Sequence, residues 1–112
     1  MKYSLSEKDG IVVLSLTGKI MGGPEATEIN DKINQLLDEK KNKIVIDLNN
    51  VEWMNSSGLG TMMGCMTSLK NSEGELKHSG VTEKVKSLFM ITKLITLFET
   101  HDTVEEAVDA FK

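Results

Sequence analysis

The segment from Ile44 to Leu69 reads IVIDLNNVEWMNSSGLGTMMGCMTSL. Its first five residues, Ile44–Leu48, form an apolar, β-branched run that is typical of a strand covered on both faces. Asn49-Asn50 then predicts a polar turn. Beyond the turn, apolar residues recur at the spacing of one helix face, at Leu59, Met62, Met63, Met66 and Leu69. The segment therefore predicts a buried strand that leads into a helix, with the methionines as core residues.

Two adjacent serines, Ser56 and Ser57, stand where this helix is expected to begin. A helix N-terminus has unpaired N–H groups and a partial positive charge, so it favours a serine cap and equally a phosphate. Capping is the commonest reason for serine at such a position. The residues by themselves therefore favour a cap over a modification site.

Composition and charge exclude several classes of function. The chain has 112 residues and a net charge of −4, without a cluster of Lys or Arg, so we expect no nucleic-acid partner. Cys65 is the only cysteine, which rules out an internal disulfide and favours a reducing, cytoplasmic location. The stretch between Glu52 and Lys70 is uncharged, but it is too short and too rich in small polar residues for direct membrane insertion.

The flanking sequence predicts further strands and helices. Asp9-Gly10 indicates a hairpin between a half-exposed strand near Tyr3–Ser6 and a strand at Ile11–Thr17, which Gly18 is expected to end. The remaining predicted elements are a first helix over roughly 25–40, a strand at Glu75–Ser79, a helix from about Thr82, a short edge strand ending near Glu99, and a last helix after the capping-box motif Asp102-Thr103-Val104-Glu105. This order predicts an α/β fold with about four helices packed on a mixed sheet of four to five strands.

A set of motifs distributed along the chain carries a family resemblance. The most specific is Asn55-Ser56-Ser57-Gly58-Leu59-Gly60 after the strand Ile44–Leu48, supported by Leu16-Thr17-Gly18, Gly80-Val81-Thr82 and Val104-Glu105-Glu106-Ala107. With these motifs the chain resembles the STAS family, which sulfate transporters and bacterial anti-sigma factor antagonists share. The resemblance runs essentially end to end, so one STAS-like domain is expected over residues 1–112.

The resemblance is closest to the stand-alone anti-sigma factor antagonists, and it implies a phosphorylation switch. In that group, the first serine of the Ser-Ser-Gly motif is phosphorylated by a partner anti-sigma factor with an ATP-dependent serine kinase fold. The unphosphorylated antagonist binds this partner and releases the sigma factor, which regulates transcription, and a serine phosphatase resets the switch. The implied acceptor here is Ser56, with Ser57 as a cap or second-choice acceptor.

Three positions depart from the pattern of the family. Asn55 stands where the family often has Asp, and the loop after the second strand ends in Met21 without the usual acidic residue. His78 occupies a strand position where an aliphatic residue is more usual. The first two departures make the surroundings of Ser56 less negative than the family pattern.

One uncharged side of the serine helix is expected to face a partner. It carries Thr61, Gly64, Cys65 and Ser68, so it can be desolvated at low cost, and its glycines permit close approach. The predicted partner-binding residues are Met21, Asn55, Ser56, Ser57, Gly58, Gly60, Thr61 and Gly64. Trp53 can be read either as a core residue or as a partner contact.

An enzyme and a structural subunit are the two alternatives to the switch. The chain has neither a Gly-x-Ser-x-Gly elbow nor a phosphate-binding Gly-x-x-x-x-Gly-Lys loop, so we expect no enzyme activity and no cofactor. Cys65 is expected to be inert, and His78 and His101 lack metal-ligand spacing. The alternative is a STAS accessory subunit of a lipid-transporting ABC complex, which acts without phosphorylation.

Overall fold

The computed structural model describes residues 2–93 and 98–112 of the chain. Its strands are β1 (Lys2–Lys8), β2 (Ile11–Ile20), β3 (Lys43–Met54), β4 (Glu75–Ser79) and β5 (Thr100–His101), and its helices are α1 (Pro24–Asp38), α2 (Ser56–Asn71), α3 (Glu83–Ile91) and α4 (Val104–Asp109). The strands form one sheet in the order β1-β2-β3-β4-β5. β1 is antiparallel to β2 and the other neighbours are parallel. The predicted α/β fold with a mixed sheet is confirmed.

The first two strands are joined by the predicted hairpin. Lys8 pairs with Ile11, and the two turn residues Asp9 and Gly10 have φ angles of 55° and 80°. Positive φ at both central residues is the geometry of a type I′ turn, which Asp-Gly favours. The local sequence alone is therefore sufficient to set this register.

The two central strands are longer than predicted. The expected turn at Asn49-Asn50 is absent, and Gly18 does not end β2, because β2 and β3 stay paired as far as Ile20 and Met54. Two register shifts, between Ser15 and Thr17 and between Gly18 and Lys19, absorb the extra residues of β3 as bulges. Polar residues therefore sit on a continuous strand instead of interrupting it.

The sheet has a core on each face. Val12, Leu14 and Leu16 of β2 join a large cluster with residues of α1, α2 and α3. Ile11 and Val13, on the opposite face of the same strand, join a smaller cluster with Ala107 and Val108 of α4. Alternate side chains point to opposite faces of a strand, so a central strand buried on both sides reads as a continuous apolar run.

Three predicted boundaries move by one or a few residues. Helix α1 begins at Pro24 and ends at Asp38 instead of spanning 25–40. The last helix is capped by Thr103, whose hydroxyl accepts from the Glu106 N–H, so the cap lies one residue later than the predicted Asp102. The edge strand is Thr100–His101 instead of ending near Glu99, and part of that prediction, residues 94–97, lies outside the described residues.

Candidate functional site

Ser56 lies at the edge of the sheet where the parallel strands β2 and β3 end. It is the first residue of α2, directly after the cap residue Asn55, and its side chain is exposed. Pairing of Ile20 with Met54 brings the end of β2, and the loop that follows it, next to the start of α2. The site is therefore built from two crossover connections, one before α1 and one before α2.

Asn55 caps the helix, and neither serine does. Its Oδ1 accepts from the Gly58 N–H at 2.8 Å, and its extended backbone is typical of an N-cap. Of the two alternatives for Ser57, a cap or a second-choice acceptor, the cap is therefore wrong, because Asn55 is the N-cap. In the described part of the chain, nothing hydrogen-bonds with the hydroxyl of Ser56 or of Ser57. Both hydroxyls therefore remain open to solvent.

Two backbone N–H groups in the first turn of α2 have no hydrogen-bond partner among the described residues. A helix has four N–H groups at its start without an intrahelical partner. Here the Asn55 N–H donates to the Ile20 carbonyl at 3.2 Å, and the Gly58 N–H donates to the Asn55 side chain. Those of Ser56 and Ser57 have no partner among the described residues. Together with the helix dipole, they make this end of the helix favourable for an anion.

Close backbone contacts hold the site together. A Cβ on Gly58 would lie 2.2 Å from the Ile20 carbonyl oxygen, so only glycine permits this approach of α2 to β2. Gly22, with a φ of 81°, packs against Ser57, because a Cβ on Gly22 would lie 2.7 Å from the Ser57 Cβ. Gly58, one of the predicted partner-binding residues, is thus buried and needed for packing.

The predicted partner-binding residues separate into an exposed group and a covered group. Residues Ser56, Ser57, Gly60 and Met21 are exposed, Met21 to 51%. Thr61 is 5% exposed and donates its hydroxyl to the Ser57 carbonyl, and Gly64 lies against Asn30 of α1. The expectation that this uncharged side of α2 is free is wrong at Thr61 and Cys65, because both are buried, Cys65 against Asn30 of α1.

Cys65 belongs to this covered side of α2. Its thiol is buried and lies 3.7 Å from the Asn30 Oδ1, and burial raises its pKa to about 12. A thiol with such a raised pKa carries almost no thiolate at neutral pH, and the thiolate is the reactive form. The prediction that Cys65 is an inert helix residue agrees with these surroundings.

An open hollow that the sequence did not predict lies between the ends of β2 and β3 and the start of α3. It has a volume of about 800 Å³ and is lined by residues that include Lys19, Trp53, Thr82 and Lys84. Trp53 is 43% exposed. It is therefore a surface residue and not a core residue. The second bulge of β3 leaves Glu52 and Trp53 both exposed, a pattern that strict strand alternation does not predict.

Asp47 of β3 makes hydrogen bonds with both neighbouring strands. Its carboxylate accepts from the Asn49 N–H at 3.0 Å and from the hydroxyls of Ser15 and Ser79 at 3.3 and 3.5 Å. The Asn49 contact makes Asp47 an acceptor for a backbone amide of its own strand. Asp47 thereby joins β2, β3 and β4.

Neither a metal site nor a membrane span is found in the described residues. Within residues 2–93 and 98–112, no three His, Cys, Asp or Glu side chains cluster as metal ligands would. No helix in these ranges has the length and apolar character needed to cross a bilayer.

Comparisons with known proteins agree with the fold. Residues 2–107 match the family model for the STAS domain. The anti-sigma-B factor antagonist of Staphylococcus aureus is 30% identical over 78 residues, which are 70% of this chain and 72% of that protein.

Solved structures show the same architecture. The crystal structure of TM1081 from Thermotoga maritima has a TM-score of 0.87 at 24% identity, over 96% of this chain and 92% of that chain. The Bacillus cell fate determinant SpoIIAA in its phosphorylated form has a TM-score of 0.76 at 22% identity, over 99% of this chain and 100% of that chain. Because the family match spans nearly all residues and agrees with this architecture, the chain belongs to the STAS domain family.

Proposed function

We propose that this protein is an anti-sigma factor antagonist, a regulatory binding protein without catalytic activity, and that Ser56 is its phosphorylation switch. The unphosphorylated form binds an anti-sigma factor with an ATP-dependent serine kinase fold and releases the sigma factor. Phosphorylation of Ser56 by that partner prevents binding, and a serine phosphatase restores the active form.

The observation that carries this proposal is the exposed Ser56 hydroxyl at the start of α2. Asn55 supplies the cap, so the helix does not need the serine side chain for its own stability. The relatives support the assignment: a protein 30% identical is named an anti-sigma-B factor antagonist, and SpoIIAA has been solved both unphosphorylated and phosphorylated.

The physics of the helix start explains how one phosphate can switch binding without unfolding the protein. A phosphoserine adds about −1.5 to −2 charges at pH 7. The N–H groups of Ser56 and Ser57, together with the helix dipole, accommodate that charge. A partner that docks over Ser56 must instead desolvate it, and a penalty of roughly 3 kcal/mol already weakens binding more than 100-fold.

The test is a capture experiment from native cytoplasm and membranes with three baits: wild type, Ser56→Glu and Ser72→Glu. Ser72 is an exposed residue at the opposite end of α2, about 24 Å from Ser56, so this control adds the same charge away from the site. We expect wild type and Ser72→Glu to capture an ATP-binding protein of the kinase fold. Ser56→Glu should lose it while keeping its circular dichroism spectrum.

The same experiment separates the competing role. Equal capture of one membrane transporter by all three baits would refute the switch and support the accessory subunit of an ABC complex. Incubation of the captured kinase with ATP and wild-type protein should add one phosphate, which peptide mass spectrometry should place on Ser56. A phosphate on Ser57 instead would move the switch to the neighbouring residue.

A further inference from the structure

The Asn55 side chain makes hydrogen bonds to two different elements. Its Oδ1 accepts from the Gly58 N–H of α2 at 2.8 Å, and its Nδ2 donates to the Met21 carbonyl at 3.3 Å. Met21 belongs to the loop of residues 21–23 between β2 and α1, which we call the Met21–Gly23 loop. One amide thus joins this loop to the first turn of the serine helix.

These two partners also determine which way the amide is turned. In the reversed orientation, Nδ2 would face the Gly58 N–H and Oδ1 would face the Met21 carbonyl, so that donor would meet donor and acceptor would meet acceptor. An aspartate at this position could cap the helix, but it has no N–H to give to Met21. The neutral Asn55 therefore makes a contact that the more usual aspartate of the family cannot make.

A second contact reinforces the junction. Gly22 packs against Ser57 so closely that a Cβ on Gly22 would lie 2.7 Å from the Ser57 Cβ. The Met21 side chain nevertheless remains 51% exposed. The backbone of the loop is held against α2 while the side chain of Met21, its largest apolar residue, is about half exposed.

We propose that Asn55 is a positioning residue that holds the Met21–Gly23 loop against α2, so that Met21 and Ser56 present one rigid surface to the partner. The part that concerns the partner rests on the function proposed above. The part that concerns the loop rests on the contacts of Asn55 and Gly22 alone. Loss of the Asn55 donor should loosen the loop without loosening the helix start.

The test uses the whole chain with Asn55→Ser and Asn55→Asp, and with Asn34→Asp as control. Serine and aspartate are both good N-caps, so both variants should fold and keep the Gly58 amide protected from hydrogen exchange. Asn34 is an exposed residue of α1, so the control makes the same change of charge elsewhere. Heteronuclear NOE values of the Gly22 and Gly23 amides report on the order of the loop.

We expect lower NOE values for Gly22 and Gly23 in both Asn55 variants and unchanged values in the control. The captured kinase-fold partner should dissociate roughly three- to tenfold faster from the uncharged Asn55→Ser variant than from wild type, since one hydrogen bond is lost. Unchanged NOE values in Asn55→Ser, or a loosened loop with an unchanged dissociation rate, would overturn the proposal. If Ser56→Glu binds the partner as wild type does, the proposed phosphorylation switch is refuted. The NOE values still decide in that case whether Asn55 holds the loop.

Discussion

At the scale of the residue, His78 on β4 is the most unusual side chain in the core. It is 1% exposed and its ring lies 4.7 Å from the ring of Phe98 and 6.2 Å from that of Phe89, centroid to centroid. Within the described residues, neither ring nitrogen has a hydrogen-bond partner. Burial lowers the pKa of His78 to about 4 from the ordinary 6.5, because the charged form would have to leave water.

This lowered pKa predicts a loss of stability as the pH falls. Between pH 6.5 and 4 the unfolded chain binds a proton at His78 and the folded protein does not, so the free energy of unfolding decreases on acidification. The expected loss between pH 7.5 and pH 5 is about 2 kcal/mol, measured by urea unfolding. A flat profile over this range would contradict the assignment. His101→Gln is the control, which should keep the loss because His78 is the only other histidine.

Replacing His78 should remove both the free-energy cost of burying its ring nitrogens and its contribution to the pH dependence of stability. His78→Leu supplies an aliphatic side chain at this buried position and deletes two nitrogen atoms that have no hydrogen-bond partner among the described residues. We expect a gain of about 1 kcal/mol in the free energy of unfolding at pH 7.5, together with a flatter pH profile. Urea unfolding at both pH values measures the two effects together. A variant that is less stable at pH 7.5 would show that the imidazole contributes to packing.

At the scale of the element, the position of α2 depends on two glycines with opposite surroundings. Gly58 faces the Ile20 carbonyl oxygen at a distance that leaves no room for a Cβ, whereas a Cβ on Gly60 would have no heavy atom within 4 Å. Both lie in the first turns of the same helix. Alanine substitutions at the two positions can therefore separate the effect of close packing on stability from the effect of helix propensity.

We expect Gly58→Ala and Gly60→Ala to change stability in opposite directions. Gly58→Ala should destabilise the protein by about 2 kcal/mol, because α2 must move away from β2. Gly60→Ala should stabilise it by about 0.5–1 kcal/mol, because alanine restricts the unfolded chain more and fits the helix. Chemical denaturation of the two variants beside wild type measures both changes. Equal effects would show that α2 does not pack on Ile20 as described.

Strand length is the element property that the local pattern predicts least well. Asn49, Asn50 and Gly18 all favour a break, yet β2 and β3 pair beyond them through two bulges. This extension carries Ile20 alongside Met54, and so places the Met21–Gly23 loop beside Asn55. The geometry of the candidate site thus follows from the pairing of two strands and not from either strand alone.

At the scale of the whole molecule, α4 is the helix that packs on the smaller core. Ala107 and Val108 are buried there against Ile11, Val13 and Val45, on the sheet face opposite the cluster of α1, α2 and α3. Without α4, this apolar strand surface would meet water. The short helix is therefore part of what stabilises the fold, although it lies on the other face from the serine helix.

A pair of substitutions in α4 tests this arrangement. Ala107→Asp places an unpaired charge in the smaller core and should cost about 3 kcal/mol or more. Ala110→Asp puts the same charge on an exposed residue at the end of α4 and should cost about 1 kcal/mol or less. Thermal and urea unfolding compare the two variants. A small effect of Ala107→Asp would mean that α4 contributes little to the folded state.

The amino-acid sequence by itself determined the elements whose cause is local. The apolar run Ile44–Leu48, the stripe of α2 and the Asp9-Gly10 turn each follow from neighbouring residues, and the family motif located Ser56. Only the tertiary structure decided the surroundings of that serine. Asn30 of helix α1 lies against Cys65 on one side of α2, and the hydrogen bond between Asn55 and Met21 joins residues 34 positions apart. Periodicity reports which face of an element is apolar, but which element then packs against it depends on contacts between distant parts of the chain.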